Sequence, residues 1–180
     1  EKNPPGFVVA DKLDKASAWS LHEDKSVTKE KGDDLPQVPG KFTLRQASDP
    51  EKGDCFELEL HGNNSLPDLV GEHCSIALDK PAPLAGEPRS LGVWVRGNSS
   101  WGKIIFEFKD ADGKTWRTEA RNWHDWPSEL AINFDGWHFI GFPISDKSPI
   151  IYSSPGGMIQ CEKPGRQSVA YPISITKLHV

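Results

Sequence analysis

Methionine, cysteine and long apolar runs are all scarce in this chain, and each shortage removes a class of structure. No apolar run approaches the roughly 20 residues of a membrane helix, so a helical membrane span is excluded. Three cysteines in 180 residues are too few and odd in number for a disulfide framework, and their spacing matches no zinc pattern. Cys55 and Cys74 each open an apparent strand (CFELEL and CSIALD), which for antiparallel neighbours puts them at opposite ends of the ladder, so buried unreactive thiols are expected instead. Basic charge is also short. Lys and Arg total 21 against 26 Asp and Glu, a net charge of -5, which gives no field to attract phosphates and argues against nucleic acid as a partner. Nucleophile-elbow, HExxH and phosphate-loop motifs are missing.

With 15 Pro, 16 Gly and a single Met, and without any long segment of helical period, the composition favours many short strands joined by turns. The length suits one domain, residues 1–180, able to bury a core without crosslinks. The first residue is Glu and no signal-peptide h-region is present in the sequence, so the chain is expected to be a processed or excised piece of a larger multimodular protein. GFVVADKLD is expected to enter a sheet and then leave for a loop, with Trp19 as a cover over one end. Residues 22–40 read as a surface loop. KFTLRQ alternates with period two, and CFELEL does so more cleanly: Phe56, Leu58 and Leu60 share one face and Glu57 and Glu59 the other.

In LGVWVRG, Leu91, Val93 and Val95 face one way and Trp94 and Arg96 the other. In GKIIFEFKD the internal set is Ile104, Phe106 and Phe108. Asp112-Gly113 is the strongest hairpin signal and joins that strand to KTWRTEAR. GWHFIGFPI turns Ile140, Phe142 and Ile144 inward, SDKSPIIYSSPGGMIQCEKPGRQS is expected to wrap the outside, and VAYPISITKLHV closes the chain with Ile173 and Ile175 inward. About eight such strands without helical crossovers imply an all-β fold, a two-sheet antiparallel β-sandwich, with a jelly roll as the favoured version.

The series LGVWVRG, GKIIFEFKDADGKTW, GWHFIGFPI and SITKLHV resembles the galactose-binding-like β-sandwich found as carbohydrate-binding modules attached to polysaccharide-degrading enzymes. The shared pattern is a strand ending in a glycine turn, an Asp-Gly hairpin, a Trp-initiated strand ending in proline, and a short closing strand. GFVVADKLD followed by Trp19 fits the opening. The resemblance implies a monomeric, secreted, periplasmic or cell-surface module that binds a polysaccharide or oligosaccharide next to a covalently attached catalytic domain. Such modules often carry a structural calcium held by acidic residues of the first and last strands. Asp11 and Asp14 stand at the start, but Lys177 occupies the closing strand where an acid would be needed, so no cofactor is expected.

Residue chemistry points the same way. A sugar ring packs its polarised C–H face on an aromatic plane while its hydroxyls need donors and acceptors. Six of the seven tryptophans fall between Ser90 and Ile144. Trp101 follows GNSS in a turn, and Trp123 and Trp126 are interleaved with Asn122, His124 and Asp125, so these three are either stacking platforms or plugs at a sheet edge. Arg96, Arg121, His124 and Asp125 would bond the hydroxyls. Trp116 belongs to either group and, with Glu107, completes the candidate ligand set, while Trp94 and Trp137 sit in strand patterns and read as structural. The alternatives are an accessory sandwich that binds no sugar, and a small glycosidase or lyase. The latter would use acidic pairs such as Glu57 with Glu59 or Glu107 with Glu119, or a group formed by Arg121, His124 and Tyr152.

Overall fold

The computed structural model describes residues 3–22, 37–62, 71–118, 131–144, 159–163 and 168–180. Among them there are twelve strands, one 3-10 turn at Ala16–Ala18 and no α-helix. The strands are β1 (Trp19–His22), β2 (Gln37–Pro39), β3 (Lys41–Asp49), β4 (Gly53–His61), β5 (Gly71–His73), β6 (Ser75–Pro83), β7 (Ser90–Asn98), β8 (Ile105–Lys109), β9 (Thr115–Thr118), β10 (Asp135–Pro143), β11 (Ile159–Cys161) and β12 (Ser174–His179). The all-β class read from the alternation is therefore the class that forms. The chain divides into two compact units, one made of Glu1–Ala10 and Pro81–Thr176, the other of Asp11–Lys80 and Lys177–Val180.

In the first unit, the first half of β12 and strands β8, β9 and β11 lie side by side in that order, and β7 pairs separately with β10. The β8–β9 hairpin turns at Asp112-Gly113, where Gly113 takes a φ of 75° that costs a glycine nothing. Counting outward from that turn puts Phe108 opposite Trp116 and Glu107 opposite Arg117. Leu91, Val93, Ile104, Phe106, Phe108, Ile140, Phe142, Ile144 and Ile173, which the period-two reading turns inward, are buried, while Val95 and Ile175 of the same reading are only half-buried.

Asp110 staples the hairpin. Its Oδ1 accepts the N–H groups of Asp112 and Lys114, at 3.0 and 2.9 Å, and its Oδ2 accepts Trp116 Nε1–H and the Ala170 N–H, at 2.9 and 3.3 Å. Burial by itself would raise the pKa of this carboxyl. The hydrogen bonds from Trp116, Lys114 and Ala170 and the Lys114 ammonium outweigh it, and the pKa lies below the ordinary value.

In the second unit, β3 and β4 form a hairpin whose register pairs Phe42 with Leu60 and Leu44 with Leu58 on one face, and Thr43 with Glu59 and Arg45 with Glu57 on the other. This is the two-faced strand that CFELEL predicts. Trp19 is buried and packs its ring at 5.8 Å from Phe56. Strands β1, β6 and the second half of β12 lie side by side, and Cys74 and Val180 exchange backbone hydrogen bonds at 2.8 and 2.9 Å.

Several expectations are corrected. GFVVADKLD forms no strand: Val8 and Val9 are 89% and 60% exposed, because no neighbouring strand offers them a ladder. Residues 37–39, inside the stretch read as a surface loop, form a short parallel pair with residues 71–73. Ile159–Cys161, expected outside the sheet, pairs with β9. All three thiols are free. Burial pushes Cys74 up to about 12, which makes it inert at neutral pH, whereas Cys55 and Cys161 are only half-buried.

His73 is 6% exposed, and neither of its ring nitrogens has a hydrogen-bond partner. A buried donor and acceptor left unmade are costly, so His73→Leu is expected to raise stability by about 1 to 2 kcal/mol. Urea midpoints of the two proteins measure this, and a lower midpoint for the leucine variant would contradict the burial penalty.

Candidate functional site

The β7–β10 ladder sorts its side chains by alternation. One face carries Leu91, Val93, Ile140 and Phe142, all buried. The other pairs Gly92 with Gly141, Trp94 with Phe139 and Arg96 with Trp137. The glycines matter here: a methyl at Gly92 would collide with the Phe139 ring, so the missing side chain lets that ring lie against the strand. Trp94 meets Phe139 edge-to-face at 5.5 Å, and its indole N–H donates to Asn3 Oδ1 at 2.9 Å. Phe7 also meets Phe139 edge-to-face, at 4.8 Å. The result is an aromatic outer face with exposed Arg96 beside it.

Past its ends the same ladder continues irregularly. Ser99 N–H donates to Phe134 O at 2.9 Å, Trp101 N–H to Ile132 O at 3.0 Å, and Ile132 N–H to Gly102 O at 2.7 Å. Lys103 bridges Ala131. Ser99 and Trp101 adopt φ values of 52° and 59°, a left-handed conformation that costs a side-chain-bearing residue about 1 to 2 kcal/mol. The Trp101 indole is nevertheless 67% exposed. A left-handed backbone and an exposed ring thus coincide in one residue, whose backbone is tied down on both sides.

The other members of the expected ligand set distribute as follows. Arg121, Trp123, His124 and Asp125, with Trp126, lie outside the described residues, as do Glu119 and Tyr152. Trp116 is a correction. It is 3% exposed, nearly parallel to Phe108 at 6.4 Å, and its N–H is committed to Asp110, so it is a core ring and offers no platform. Glu107 is a second correction. It is buried, accepts Arg117 Nε–H at 3.0 Å, and takes a hydroxyl from Thr176 at 3.3 Å. Counting pairs outward from Asp112-Gly113 would have found both, because it sets Trp116 against the already internal Phe108. The sequence reading also missed Phe139, Phe7 and Asn3. An outward-facing glycine in each strand, Gly92 in β7 and Gly141 in β10, was the available signal for an aromatic ring lying across them.

Glu57 and Glu59 both face Arg45, at 2.9 and 3.6 Å. The Arg45 hydrogen bond holds Glu57 below its ordinary carboxylate range, and a carboxylate kept ionised is poorly suited to act as a general acid. The residues at the implied calcium position do not fit that ion. Asp11 Oδ1 accepts the Leu13 N–H at 2.7 Å, Lys177 brings a positive charge, and no group of three or more His, Cys, Asp or Glu side chains able to hold a metal occurs among the described residues. No described helix is long and apolar enough to cross a membrane. The chain matches no protein-family model, no curated protein and no solved structure.

Proposed function

We propose that this chain is a non-catalytic carbohydrate-binding module, a β-sandwich of the galactose-binding-like kind, that holds an attached catalytic domain on a polysaccharide outside the cytoplasm. Trp101 carries the reading. A mostly exposed indole held in a left-handed backbone conformation serves no packing purpose, and a fixed flat ring among Asn98, Ser99 and Ser100 is what a pyranose needs for stacking with hydroxyl contacts at the rim. Trp123 and Trp126, flanked in sequence by Arg121, His124 and Asp125, extend the platform in this reading, and Arg96 contributes from the outer face of β7.

Affinity electrophoresis against a panel of immobilised polysaccharides, with glycosidase and lyase assays in parallel, tests the proposal. For a glycan that retards the protein, Trp101→Ala is expected to weaken binding by about 1 to 3 kcal/mol, the size of a hot-spot aromatic, and to leave the denaturant midpoint unchanged because the ring supports no core. Trp123→Ala and Trp126→Ala belong in the same titration. A panel that retards nothing would favour an accessory domain without sugar binding, a reading that gains from the burial of Trp116 and Glu107. Turnover in the parallel assays would make the chain an enzyme.

A further inference from the structure

The outer face of β7 and β10 has an occupant supplied by the chain itself. Residues 3–10 contain no strand. Phe7 N–H closes a turn on Pro4 O at 3.2 Å, with Gly6 at a φ of 85°, so Pro4, Pro5 and Gly6 form a preset bend that presents Phe7. The Phe7 ring meets Phe139 and reaches to 3.8 Å from the position a side chain on Gly141 would take. It therefore fills a slot floored by Gly141 and walled by Phe139. At the slot's rim, Asn3 Oδ1 accepts the Trp94 indole N–H. Directly after Phe7 the segment leaves the surface, with Val8 and Val9 exposed. Among the described residues, the Trp94–Asn3 hydrogen bond and the Phe7–Phe139 ring contact tie this strap to the face, and no β-ladder does.

What the strap offers this face is chemically specific: a ring in edge-to-face contact with an aromatic wall, and one oxygen acceptor for an indole donor. A pyranose offers the same pair, its axial C–H groups and a hydroxyl oxygen. We propose that the slot formed by Phe139, Trp94, Gly92 and Gly141 is a second saccharide site, covert in the closed form, and that residues 3–7 are a displaceable strap standing in for the sugar. The inference rests on the carbohydrate-binding reading but places a site apart from Trp101. The glycines at 92 and 141 have a function in it, since they let Phe139 lie against the sheet and leave room beside it for a ring. A strap that must leave before ligand enters lowers apparent affinity by the fraction of time the slot is open, so loosening the strap raises affinity without adding any contact.

The test compares the full chain with N3A/F7S and with N3A/F7S/F139A by titration against oligosaccharides of whichever polysaccharides retard either protein. Freeing the slot is expected to tighten binding by about ten- to a hundredfold, and removing Phe139 to cancel the gain. N3A alone should give a smaller gain in the same direction. If the unmodified protein binds and N3A/F7S binds no better, the slot is refuted while the Trp101 reading stands. If only N3A/F7S binds, the slot stands and the Trp101 reading falls, and if neither binds, both fall. A large drop in the melting temperature of N3A/F7S would also overturn the proposal, because a segment whose loss unfolds the unit is core and no strap.

Discussion

Replacing Asp110 by alanine is expected to cost about 3 to 5 kcal/mol, near the upper end of what one side chain contributes, because a buried partner is removed and the other groups keep their desolvation cost. Trp116 Nε1–H would be left in the core without its acceptor, and the N–H groups of Asp112, Lys114 and Ala170 would lose theirs. Asp110→Asn keeps the shape but turns an amide donor towards donors, and should recover only part of the loss. The pH dependence gives an independent check. The folded pKa is depressed, so the contribution of Asp110 is fully present above the ordinary carboxyl value of 3.8. It fades as the pH falls below that value and through the lower folded one. The D110N protein should therefore show a shallower fall in stability on acidification than the parent, and identical acid limbs in urea titrations would refute the assignment.

Phe108→Ala should be comparably severe, about 3 to 5 kcal/mol for a large ring lost from a closed core. Phe108 is 0% exposed and nearly parallel to Trp116, so truncation opens a cavity and strips one face of the indole. Phe108→Leu fills most of that volume and should cost much less. Denaturant unfolding with an unchanged m-value would assign the loss to the folded state. A truncation cost below about 1 kcal/mol would mean that the site collapses freely and the packing is loose.

The alternating strands were legible because period two places alternate residues on opposite faces. Phe56, Leu58 and Leu60 pair with apolar or polar partners of β3 on one face while Glu57 and Glu59 meet Arg45 and Thr43 on the other, although Leu60 stays 45% exposed. The Asp-Gly turn fixes which strand follows which. Less legible was anything decided by partner supply. GFVVADKLD has strand composition, yet strand composition forms a strand only beside an unpaired edge, and Val8 and Val9 find none. The parallel pairing of residues 37–39 with 71–73 joins segments more than thirty positions apart, which no local pattern encodes. At the candidate site, the polar setting of Trp101 in the sequence matched its exposure. Trp116 stayed open between core and platform, and Glu107 was placed in the ligand set, because a residue's neighbours along the chain say little about its neighbours across the ladder, where Phe108 and Arg117 decide.

Each unit joins an early segment of the chain to a late one, and in the second the late piece is short. Residues 11–80 share their sheet with residues 177–180, and the buried contact between Ser75 Oγ and His179 Nδ1 spans 104 positions. A nascent chain that has emerged through Lys80 thus holds Ser75 and Cys74 without the strand that seals them, and waits for about a hundred further residues before that edge closes. Until then the exposed edge is open to pairing with other chains. A chain truncated before Lys177 would keep that edge open permanently, so the four residues 177–180 govern its exposure out of proportion to their number.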